Sequence, residues 1–123
     1  MKKKIVIVED DRLLGTVLKK MASALGFDVL DIARTGESAI SSIKKHSPDL
    51  VFMDIYLADD ISGIEAMKNV REYSNVPVIY ISAQSDLQIQ KEASFLGNSH
   101  FMVKPVNMSD LKLAVNGMSS AAA

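Results

Sequence analysis

Four short apolar runs in this chain each stop at a polar or charged residue. Ile5-Val6-Ile7-Val8 meets Glu9-Asp10, and Leu50-Val51-Phe52-Met53 meets Asp54. Val78-Ile79-Tyr80-Ile81 meets Ser82, and Phe101-Met102-Val103 meets Lys104. Uninterrupted apolar runs of four or so residues read as strands covered on both faces, the pattern of a parallel sheet. In open parallel sheets the functional groups gather beyond the carboxyl ends of the strands. Three carboxylates, a hydroxyl and an ammonium are therefore expected along one edge.

Helical patterns separate these runs. Leu13, Leu14, Val17, Leu18, Met21, Ala22 and Leu25 recur at helical spacing, and Gly26 marks a stop. Asp28 to Ile32 reads as a weaker second strand. Ala39, Ile40 and Ile43 mark a short helix that Pro48 ends. Ser62-Gly63-Ile64-Glu65 and Ser85-Asp86-Leu87-Gln88 are capping-box patterns for a third and a fourth helix. The third helix buries Ile64, Met67 and Val70, and the fourth turns Ile89, Ala93 and Leu96 inward. Phe95, beside Leu96, is either ordinary packing or a contact for a partner. The fifth strand is expected from His100 to Val103. Leu111, Ala114, Val115 and Met118 form the stripe of a last helix, and residues 119–123 read as a frayed tail.

Five strand-helix units with right-handed crossovers put helices on both faces of the sheet. The second run ends in Ala33-Arg34-Thr35, without a chemical group aligned with the others, which suits an edge strand. The order 2-1-3-4-5 follows, an α/β doubly wound sheet of flavodoxin-like (βα)5 type, with the crevice between strands 1 and 3. Glu9, Asp10 and Asp54 flank that crevice.

Bulk properties narrow the chemistry. The chain is one domain of 123 residues. A net charge of −1 gives no electrostatic grip on nucleic acid, and Lys2-Lys3-Lys4 reads as a solvated terminus. The absence of cysteine removes disulfides and thiolate chemistry. No stretch is long and apolar enough to cross a bilayer, and no signal-peptide pattern occurs, so the cytoplasm is the expected setting.

Adjacent carboxylates repel unless a cation intervenes. An all-oxygen set calls for a hard ion, and Mg²⁺ suits a site with few carboxylates. Asp11 is the natural cap for the first helix, which leaves Glu9 and Asp10 for metal. Asp54 follows a wholly apolar run, where a carboxylate is costly without compensation. Carboxylates serve as nucleophiles that form aspartyl phosphates, and Lys104 with a divalent ion could neutralise the incoming charge.

At this point the chain resembles a family, the receiver domains of two-component response regulators, over about Lys4 to Met118. The resemblance rests on Ile5-Val6-Ile7-Val8-Glu9-Asp10-Asp11, Pro48-Asp49-Leu50-Val51-Phe52-Met53-Asp54-Ile55, Pro77-Val78-Ile79-Tyr80-Ile81-Ser82-Ala83 and Val103-Lys104-Pro105. It implies a receiver domain over 1–118, with Asp54 accepting phosphate from a histidine kinase or phosphotransfer protein. Glu9 and Asp10 would be the Mg²⁺ pair, with the backbone carbonyl of Tyr56 as a further ligand. Ser82 would be the switch hydroxyl, Lys104 the phosphate-contacting lysine, and Phe101 the rotating aromatic. Lys104-Pro105 is a candidate cis peptide. The protein would be a phospho-acceptor whose only catalysis acts on its own phosphate, signalling to an output domain or protein, with no membrane contact. A homodimer through the fourth helix, fifth strand and last helix stays open.

Several positions depart from the commonest family pattern. Glu9 stands for Asp, Ser82 for Thr and Phe101 for Tyr, while Ala58-Asp59-Asp60 replaces a frequent proline. Tyr56 and Gln84 occupy variable positions that bear on phosphate lifetime. Three rival readings exist. A flavodoxin-type carrier would want a hydroxyl- and glycine-rich loop where Glu9-Asp10-Asp11 stands. A haloacid-dehalogenase-type phosphatase would carry its nucleophile after the first strand. A phosphate-independent interaction module would keep the acidic pocket as a relic.

Overall fold

The computed structural model describes residues 2–84 and 86–122, with side chains given through 118. The strands are β1 (Lys4–Val8), β2 (Asp28–Ala33), β3 (Leu50–Asp54), β4 (Val78–Ser82) and β5 (Ser99–Val103). The helices are α1 (Arg12–Ala24), α2 (Gly36–His46), α3 (Gly63–Val70), α4 (Leu87–Phe95) and α5 (Met108–Ala122). All strand pairs are parallel, in the order β2-β1-β3-β4-β5. The expected doubly wound sheet is therefore present, with the chemically silent β2 at its edge.

Alternate residues of the strands feed two cores. Val6, Val8, Val51, Met53, Val78 and Tyr80 pack on the side of α2, α3 and α4. Ile5, Ile7, Leu50, Phe52, Ile79 and Ile81 pack with Leu18 and Ala22 of α1 and Leu111 and Val115 of α5. Both faces are dry, so β3 and β4 are buried along their whole length.

The first helix has a narrower buried stripe than its sequence suggests. Leu18 and Ala22 are buried, but Leu13 is 77% exposed and Val17 40%. At about 100° per residue, Val17 and Leu13 point roughly 100° and 140° away from Leu18. Gly15 fills the buried position instead, against Ile32 and Glu9. Phe95 is also not packed: it is 91% exposed, and α4 buries only Ala93.

Helix starts follow their side chains. Asp11 accepts the Leu14 N–H at 3.0 Å, Ser62 the Glu65 N–H at 3.1 Å. The cap of α4 is Asp86, which accepts the Gln88 N–H at 2.7 Å, one residue beyond the expected Ser85, which lies outside the described residues. Thr35 and Ser38 form a reciprocal cap on α2. Beyond Ala24, Gly26 adopts φ 93°, the left-handed turn that glycine favours. The backbone of α5 continues to Ala122, where a tail is expected; the side chains of 119–123 lie outside the described residues. Among the described residues no helix is long and apolar enough to cross a membrane.

Candidate functional site

β1 and β3 are neighbours in register, Val8 beside Met53, so Glu9 and Asp54 emerge side by side at the same edge. Carboxylate oxygens of Glu9, Asp10 and Asp54 all lie within 4.8 Å of one another. β5 delivers Lys104 from the far side of β4. Its Nζ is 3.0 Å from Glu9 Oε1 and 3.2 Å from Asp54 Oδ2. Ser82 ends β4 fully buried, its carbonyl accepting the Lys104 N–H at 2.8 Å and its Oγ accepting the Gln84 N–H at 3.2 Å. The five side chains expected at one edge therefore share it.

Burial makes this edge electrostatically tense. Glu9 is 1% exposed and Asp54 5%. Burial, then a hydrogen bond shared with Asp54, pushes the Glu9 carboxyl up to about 7; Lys104 and the Asp11 amide oppose the shift without cancelling it. Burial pulls the Lys104 ammonium down, but its bonds and charge pairing with Glu9 and Asp54 together outweigh this and raise it. One ammonium does not balance three carboxylates. Glu9 Oε1 is buried and, although Lys104 Nζ lies close, receives no well-directed hydrogen bond. Oxygen-only donors, excess negative charge and a buried carboxylate oxygen with only the shared Lys104 ammonium beside it suit a hard divalent cation.

Around this core sit groups of second rank. The Tyr56 N–H points at Asp54 Oδ1 at 3.4 Å, and the Tyr56 hydroxyl reaches Gln84 Oε1 at 3.4 Å across the mouth. Phe101 is half-buried against the α2–α4 core. The Lys104–Pro105 peptide is cis. A Cβ on Gly63 would collide with the Asp54 carbonyl, so only glycine lets the β3–α3 loop return this closely. His100 is exposed and His46 half-buried, and neither reaches the cluster.

Two side-chain contacts around the site escape sequence reading. Arg34, after the silent strand β2, donates from Nη2 to the Asp10 carbonyl at 3.1 Å. Asp59 accepts two amides at the start of α2. A βα turn on a neighbouring strand could have pointed to Arg34, but no local pattern announces Asp59.

Residues 5–116 match the family model for the response regulator receiver domain. The chain belongs to that family. The receiver is 34% identical over 112 residues to an uncharacterised transcriptional regulatory protein, YrkP, of Bacillus subtilis, covering 91% of this chain and 47% of the relative. It is 31% identical over 111 residues to the regulatory protein LuxO of Vibrio cholerae, covering 89% of this chain and 24% of that one. The receiver thus spans less than half the length of these curated relatives. A chain in the crystal structure of the CheX–CheY–BeF3–Mg²⁺ complex from Borrelia burgdorferi superposes with a TM-score of 0.89 at 29% identity, covering 95% of this chain and 89% of that chain. Receiver domains are signalling domains of two-component phosphorelays that work with histidine kinases and output domains, and they bind Mg²⁺ at an acidic pocket. The Glu9-Asp10-Asp54 cluster fits a site of that kind.

Proposed function

We propose that Asp54 is the phospho-acceptor of this receiver, loaded by a sensor histidine kinase or phosphotransfer protein. Its carboxylate attacks the phosphorus, a P–O bond forms to Asp54, and the bond to the donor imidazole breaks with the electron pair leaving on nitrogen. The observation that carries this reading is the Lys104 ammonium 3.2 Å from Asp54 Oδ2, on the same rim as two further carboxylates and the Ser82 hydroxyl. Lys104 offsets charge on the nucleophile before transfer and on the phosphoryl oxygens after it. Glu9, Asp10, Asp54 and the Tyr56 carbonyl would hold Mg²⁺, which supplies the remaining positive charge when bound. Hydrolysis of the acyl phosphate is the only turnover assigned to the domain.

Phosphorylation adds a charge of about −1.5 to −2 beside Ser82 and Lys104. Ser82 moves to donate to the new oxygens, and Phe101 follows into the space it leaves. The surface of α4, β5 and α5 changes with it, and a coupling of about 1–3 kcal/mol is enough to shift populations. That surface then meets an output domain or partner, or a second copy of the receiver, in the cytoplasm. The unit that switches is residues 1–118.

The test is intact-mass analysis after incubation with acetyl phosphate and Mg²⁺. One added phosphate is expected on the natural sequence and none on Asp54→Asn. Labelling that survives the substitution contradicts the assignment, and no uptake by either protein favours a phosphate-independent interaction module.

A further inference from the structure

The β3–α3 loop carries Tyr56, whose carbonyl is assigned to the metal above, and has the polar run Ala58-Asp59-Asp60 in its middle. The structure restrains this run through Asp59. Asp59 Oδ1 accepts the Gly36 N–H at 2.8 Å, and Oδ2 accepts the Glu37 N–H at 3.1 Å. These are amides of the first turn of α2, which have no partner within their own helix. A carboxylate there also faces the positive end of the helix dipole. The loop presses on the same turn sterically: a Cβ on Gly36 would lie 2.5 Å from Ile61. Where the loop closes, Gly63 donates to the Ile55 carbonyl at 2.8 Å and lies too close to the Asp54 carbonyl for any Cβ. The loop is thus fastened twice, at its closure beside the acceptor strand and at its middle to α2.

We propose that Asp59 is a positioning residue for the metal-phosphate site, using the start of α2 as a fixed anchor for the loop. The proposal rests on the assignment of Asp54 and Tyr56 above. Asp59 touches neither metal nor phosphate; it acts by limiting where the Tyr56 carbonyl can sit. Asp60 is the natural control, since it is exposed, carries the same charge one residue away, and makes no bond to α2 among the described residues. By the same logic the coupling is reciprocal: an ion held at the Tyr56 carbonyl should quiet the start of α2.

The test compares the natural sequence with Asp59→Ala, Asp59→Asn and Asp60→Ala. Amide exchange at Gly36 and Glu37 is followed by NMR in EDTA and then in Mg²⁺, with the Ile79 amide in β4 as a check that each variant is folded. Mg²⁺ affinity is measured by calorimetry. Asp59→Ala is expected to speed exchange at Gly36 and Glu37, to abolish the protection Mg²⁺ adds there, and to weaken Mg²⁺ binding roughly tenfold, the low end for loss of an outer partner. Asp59→Asn, which keeps one acceptor, should fall between, and Asp60→Ala should stay within about twofold of the natural sequence in affinity. Mg²⁺ affinity of Asp59→Ala equal to that of Asp60→Ala overturns the proposal, even if exchange is faster. Absence of phosphate on Asp54 in the mass experiment sinks the functional reading instead, and the exchange data still decide whether the anchor exists.

Discussion

Replacing Glu9 by Gln should make the metal-free protein more stable at alkaline pH. The carboxyl of Glu9 is pushed from its usual 4.5 up to about 7 in the fold, by burial first and by Asp54 second. The folded state therefore holds a proton that the unfolded chain has released, between pH 4.5 and 7. Stability from this group is intact below pH 4.5 and is lost as pH rises through 7. At 1.36 kcal/mol per pH unit, the difference between 4.5 and 7 amounts to at most about 3 kcal/mol above pH 7. Glutamine has nearly the same shape, keeps an oxygen for the Asp11 N–H that Glu9 Oε2 accepts at 3.2 Å, and never ionises. Urea unfolding in EDTA should place the Glu9→Gln midpoint about 1–2 M above that of the natural sequence at pH 8, with the gap closing to about 0.5 M or less at pH 5. Added Mg²⁺ should raise the natural sequence more than the variant, because the charge that destabilises the empty cluster is the charge that holds the ion. A variant as stable as, or less stable than, the natural sequence at pH 8 in EDTA would refute the reasoning, since it would mean Lys104 fully compensates Glu9.

Two further predictions concern packing. Gly63→Ala would drive a methyl into the Asp54 carbonyl, and thermal unfolding should show a loss of about 1–3 kcal/mol together with slower phosphate uptake; an unchanged melting curve would show that the loop can retreat. Phe95→Ser should leave stability within about 0.5 kcal/mol, because the ring is 91% exposed; a larger loss in urea titrations would place Phe95 in the core after all.

The architecture was readable because two-sided burial leaves a plain mark. Ile5 to Val8, Leu50 to Met53 and Val78 to Ile81 have no polar face, so each had to be an inner strand, and each ends where its functional group begins. Silent Ala33-Arg34-Thr35 placed β2 at the edge for the same reason. What escaped reading depends on tertiary geometry. Leu13 and Val17 fit a broad apolar stripe, yet buried Gly15 allows α1 to sit so that they face water. Arg34 and Asp59 bond to backbone groups of distant residues, and a backbone amide or carbonyl has no letter in the sequence. Phe95 shows the remaining limit: an aromatic next to an inward Leu96 reads as packing until the helix's roll about its axis is known.

The ion pair between Lys104 and Asp54 joins residues 50 positions apart. A chain leaving the ribosome exposes Asp54 long before the ammonium that sits against it. Until the fifth strand has docked, that carboxylate lacks its Lys104 partner. With Asp54 as the proposed acceptor, the ability to receive a message is acquired last, and only by copies whose sheet has closed.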